Sequence, residues 1–144
     1  MYQYHLYLVK SDYAKHFYYK IDTVYRFLQE QMMDQPSKSA QGQYKLVLDK
    51  VYAKDLFLHL NYWKDQDIHI NMNRNHINLM DCKQSISLTV NDYSISISAE
   101  TIVDLDQILF RSIKTFHPHV FVVNYETYEC GWITPFVGKQ IYSL

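Results

Sequence analysis

The feature that most restricts this chain is a period-two alternation of apolar and polar residues that recurs in separate runs. Ile86, Leu88 and Val90 alternate with Ser and Thr, and Tyr93, Ile95 and Ile97 repeat the pattern after Asn91-Asp92. Successive side chains of a strand point to opposite faces, so each run reads as a half-buried strand and the polar pair between them as a hairpin turn. Ile68, Ile70 and Met72 form another run, joined through Asn73-Arg74-Asn75 to Ile77 and Leu79. Val120 to Asn124 and Tyr128 to Thr134 read as a final hairpin. At the N-terminus, Tyr2, Tyr4, Leu6 and Leu8 share one face of a predicted strand, and His5, Tyr7 and Val9 share the other.

Elsewhere the period lengthens. Ser11 to about Tyr19 reads as a short helix, with Ser11 as its cap and Asp12 in its first turn. Asp22 is the candidate cap of a second helix, in which Val24, Phe27, Leu28 and Met32 recur at helical intervals and which ends near Met33. Asp34 to Gln43 collects proline, glycine and small polar residues, a loop too short to separate two domains. Tyr44 to Tyr52 has β-rich character. Two periods compete from Ala53 to Asp65: Leu56, Leu58 and Leu60 alternate, but Leu56, Leu60 and Trp63 fit a helix, which is the reading adopted. Ile102, Leu105, Leu109, Ile113 and Phe116 predict a further helix that Pro118 stops, and Pro135 and Gly138 lead into an irregular tail.

Neighbouring strand runs with long helices far apart in the chain favour an α+β plan over repeated βαβ units. The expectation is a single domain, 1–144, with a mainly antiparallel sheet and two or more helices packed on it. With 144 residues and 48% hydrophobic content, a core forms without metal or disulfide staples.

Several chemistries find no support. The 14 Lys and Arg are scattered and the net charge is −1, so the concentrated basic face of a nucleic-acid binder is not expected. Only 3 glycines are present, too few for a phosphate-cradling or dinucleotide loop. No apolar run approaches the ~20 residues of a membrane span, and Met1 to Lys10 does not read as a signal peptide, so a soluble cytoplasmic protein is expected. Cys82 and Cys130 stand far apart in no ligand-like spacing and are read as reduced thiols. His117-Pro118-His119 is the closest histidine pair, but no further ligands follow by spacing, and polar surface histidines are the expectation. Asp65 with Asp67, and Asp104 with Asp106, sit in polar or helix-starting segments. Cys130 before Gly131 reads as a buried strand cysteine rather than a nucleophile. No enzyme, metal or cofactor is expected. The 14 tyrosines fit a protein interface, because each combines a large apolar body with a polar tip, and an Asn-, Lys- and Tyr-rich composition fits genome base bias equally. A rival reading is a small enzyme or small-molecule binder with a Tyr/His-lined pocket near His117, His119 or Tyr128.

Two stretches carry a family likeness. Tyr7-Leu-Val-Lys-Ser-Asp-Tyr-Ala-Lys-His-Phe-Tyr18 and Gly131-Trp-Ile-Thr-Pro135 resemble the strand-to-helix and Gly-Trp segments of the SirA family, the sporulation inhibitors of replication of Firmicutes. The resemblance implies a non-enzymatic protein that binds the N-terminal domain of the replication initiator DnaA. It implies Tyr13 and Phe17 of the first helix as partner-binding residues, joined by Gln43. Tyr13 and Phe17 are four residues apart and so share one helical face. Read from the residues alone, the favoured arrangement is the opposite one, with Tyr13 and Phe17 buried on the sheet and Ala14 and Tyr18 outward.

Overall fold

The computed structural model describes residues 2–31, 44–82, 84–100, 109–133 and 142–143. Strand β1 (Tyr2–Leu8) leads into α1 (Ser11–Phe17) and α2 (Ile21–Gln31). One helical turn at 44–47 precedes α3 (Ala53–Trp63). There follow β2 (His69–Asn73), β3 (His76–Met80), β4 (Ser85–Val90), β5 (Ile95–Ala99), α4 (Arg111–Phe116), β6 (Val120–Asn124), β7 (Glu129–Trp132) and β8 (Tyr142–Ser143). The strands form one antiparallel sheet in the order β2-β3-β4-β5-β1-β6-β7-β8. This is the expected mixed architecture of an antiparallel sheet with packed helices.

Strand β1 lies between β5 and β6 and is buried on both faces. Tyr4, Leu6 and Leu8 enter one core with Leu56 and Leu60 of α3 and Ile113 of α4. Tyr7 and Val9 enter a second core with Ala14 and Tyr18 of the α1 region and Val24, Tyr25 and Leu28 of α2. Strand β6 is covered likewise: Val120 and Val122 join the first core, Phe121 and Val123 the second. A strand covered on both sides reads as a continuous apolar run. Towards β2 only one face is covered: Ile77, Leu79, Ile86 and Leu88 are buried, while Ser87 on the other face donates to Asn78 Oδ1 at 3.0 Å.

Several expectations are corrected. Ser11 does not cap α1: Lys10 holds the cap position without a side-chain bond, and Ser11 lies inside the first turn with its Oγ 3.0 Å from His119 Nε2. Asp22 falls within the first turn of α2, which starts at Ile21. The β-rich reading of Tyr44 to Tyr52 gives way to the helical turn, and strand pairing survives as one bridge, Val9 to Leu48. The cause is tertiary: Lys10 N–H donates to the Val47 carbonyl and Asp49 N–H to the Leu8 carbonyl, and α1 begins at Ser11, so the end of β1 offers no longer ladder. Tyr93 belongs to the 91–94 turn, closed by Asn91 N–H to the Ser94 carbonyl at 2.8 Å. The end of the tail returns to the sheet as β8 beside β7. The helical reading of 53–65 holds, with Leu56 and Leu60 buried and Leu58 exposed. The predicted loop after Met33, residues 101–108 and the Pro135-to-Gly138 segment lie outside the described residues.

The turn between β6 and β7 places Tyr128 at φ 59°, left-handed backbone that disfavours a bulky residue. Tyr128 is exposed. Tyr128→Gly is therefore expected to stabilise the protein by about 0.5–1 kcal/mol in urea unfolding. A loss of stability would show that the ring contributes more than the backbone strain removes.

Candidate functional site, the cleft between the first two helices

Two pairs of residues spaced four apart compete for the buried side of α1, and against the expectation from the residues alone the structure sends Ala14 and Tyr18 inward. Ala14 has no exposed surface, and its small side chain allows the helix to sit close to the sheet. The Tyr18 ring stacks on Trp132 of β7 with centroids 5.6 Å apart, and Trp132 also meets Phe121 edge-on at 5.0 Å. The Trp132 indole N–H donates to the Tyr18 carbonyl at 3.0 Å. Terminal carbonyls of a helix have no partner within it, so the indole satisfies an acceptor at the end of α1. The two stretches that carry the family likeness thus touch in space.

With that face committed to the core, Tyr13 and Phe17 turn towards α2, and both are half-buried. They line an apolar cleft of about 400 Å³ together with Val9, Thr23, Val24, Phe27, Leu46 and Val47. Leu46 stands on its rim, 60% exposed. The 44–47 turn is held by Lys10 N–H to the Val47 carbonyl at 2.8 Å and by Lys10 Nζ to the Lys45 carbonyl at 3.0 Å. Phe17 is fixed by its neighbours, with the His16 ring edge-on at 4.6 Å and the Lys20 ammonium 5.8 Å from its centroid. Tyr44 braces Phe27 edge-on at 5.7 Å and stacks on Tyr93.

Behind the cleft, His117 and His119 tie α1 to the sheet. His117 Nε2 is 2.8 Å from Asp49 Oδ2, while the His119 backbone N–H donates to His117 Nδ1 at 3.0 Å. His119 is buried, contrary to the expectation of surface histidines. Burial, with His117 and Lys15 adding repulsion, holds His119 below the usual histidine value, and burial lowers His5 in the same sense. The folded state then binds fewer protons than the unfolded chain once pH falls below about 6.5. Stability is complete above that value and is lost as pH falls towards the folded-state values. Thermal midpoints should drop between about pH 7 and about pH 5, and His119→Gln should flatten the slope. An unchanged slope in that variant would exclude His119 as its source.

Other sequence candidates lie apart from the cleft. Cys130 is buried in β7, and burial pushes its thiol up to about 11, away from nucleophile chemistry. Tyr7 and Tyr125 share a hydroxyl hydrogen bond of 2.8 Å in the second core, where burial raises both. Among the described residues no three His, Cys, Asp or Glu side chains converge as a metal site. No described helix is long and apolar enough to cross a membrane. Gln43 lies outside the described residues. Sequence reasoning missed Phe27, Leu46 and Val47 as cleft residues. Phe27 carried a signal, since it is offset on the helix from its buried neighbours Val24 and Leu28.

Fold and cleft define a class by shape, an antiparallel-sheet α+β protein whose two N-terminal helices hold an apolar cleft at the surface. Its sequence is more specific. Residues 2–137 match the family model described as sporulation inhibitor of replication protein SirA, and the chain belongs to that family, among inhibitors of replication. No match was found among curated proteins.

Proposed function

We propose that the chain acts in the cytoplasm, without catalysis, by holding the N-terminal domain of the initiator DnaA in the α1–α2 cleft and blocking the contacts that assemble initiator at the origin. The observation that carries this reading is the placement of Tyr13 and Phe17. Both pack at the margin of the second core, half-buried, and line one apolar cavity at the surface. Rigid aromatics beside a preformed apolar pocket are the usual centre of a small interface, and the contacts on Phe17 lower the ordering cost of binding. Gln43 stays in the proposed contact set on family resemblance alone.

The rival small-molecule reading placed its pocket at His117, His119 or Tyr128, and none of these lines the cleft. The lining is apolar apart from the hydroxyls of Tyr13 and Thr23, which suits an apolar protein anchor better than a ligand fixed by convergent polar groups. Expression in cells carrying the cognate DnaA should lower the origin-to-terminus ratio. The Tyr13→Ala, Phe17→Ala double variant, accumulated to the same level, should leave it normal. Equal inhibition by both proteins would overturn the site.

A further inference from the structure

We propose that this chain self-associates as a twofold dimer through the open edge of its sheet, with β2 pairing antiparallel to β2 of a second copy. Strand β2 is terminal in the sheet, and every residue in it except Ile70 is exposed. Natural edges are blunted by brevity, proline, lysine or bulges. The other edge strand, β8, spans only Tyr142–Ser143. Strand β2 has none of these devices: its sequence is His-Ile-Asn-Met-Asn, and it pairs with β3 residue for residue from His69↔Met80 to Asn73↔His76.

The strand is complementary to itself. A twofold axis perpendicular to the sheet keeps every side chain on its own face, so the allowed registers place one residue opposite its own copy. Centring on Asn71 pairs the whole strand, with Ile70 opposite Met72 and His69 opposite Asn73. Ile70 and Met72 lie across from Leu79 and Ile77, both buried in the first core. Self-pairing therefore extends an existing apolar row, and Met72, 37% exposed in the single chain, gains an apolar neighbour.

The edge lies four strands from β1 in the sheet order, whereas the cleft is built on the core that packs against Tyr7 and Val9. Each copy keeps its cleft, so dimerisation and partner binding fail or succeed separately.

Sedimentation equilibrium of the full chain over a concentration series tests this. A dimer of twice 17.3 kDa is expected to grow with concentration. Met72→Lys, which puts an inward charge on the edge, should weaken association by about tenfold or more. Should Met72→Lys lose its fold, the concentration series of the parent chain carries the test. A monomer at every concentration would overturn the proposal, as would a dimer indifferent to a folded Met72→Lys variant.

Discussion

Trp132→Ala is expected to destabilise the protein by about 3–5 kcal/mol, the range for truncating a large buried aromatic. Trp132 is 3% exposed, stacks on Tyr18, meets Phe121 edge-on and donates its indole hydrogen to the end of α1. The substitution removes packing from the core under the first two helices and the indole hydrogen bond to the Tyr18 carbonyl. Against a typical domain stability of about 5–15 kcal/mol, this is a large fraction. Trp132→Phe keeps most of the ring and loses the hydrogen bond, so a cost nearer 1 kcal/mol is expected. Guanidinium unfolding measures both. A loss below about 1 kcal/mol in the alanine variant would mean that β7 does not anchor α1.

Tyr13→Ala and Phe17→Ala are expected to act chiefly on binding. Each should cost about 2 kcal/mol, or roughly thirtyfold, in affinity for the DnaA N-terminal domain. Because both residues are half-buried against the second core, each should also lower stability, by less than Trp132→Ala does. They line the same cavity, so their effects should not add in the double variant. Variants that stay folded, shown by unchanged circular dichroism, and bind as tightly as the parent would remove the cleft from the interface.

The strands were legible because alternation is local. Ile86, Leu88, Ile95 and Ile97 occupy buried positions on one face of the sheet, as their spacing required. The helix at α3 was legible once helical spacing was preferred, since Leu56 and Leu60 share a side that Leu58 does not. The orientation of α1 was not. Tyr13 with Phe17, and Ala14 with Tyr18, are both four-residue pairs with aromatic content, so the helix pattern has two solutions. The residue that selects between them, Trp132, lies 114 positions from Tyr18. The resemblance pointed to Tyr13 and Phe17, and the structure places both at the cleft; their engagement with a partner is the proposal. The 44–47 turn was also illegible. Its β-prone residues coil because tertiary bonds to Leu8, Lys10 and Val9 leave one position for pairing.

The most direct measurement is a calorimetric titration of the full chain with the isolated DnaA N-terminal domain from the same organism, at near-physiological salt. Saturable one-to-one binding is predicted, with affinity lost when Tyr13 and Phe17 are both alanine. No binding by the parent protein at high micromolar concentrations would contradict the account of the cleft as the DnaA site.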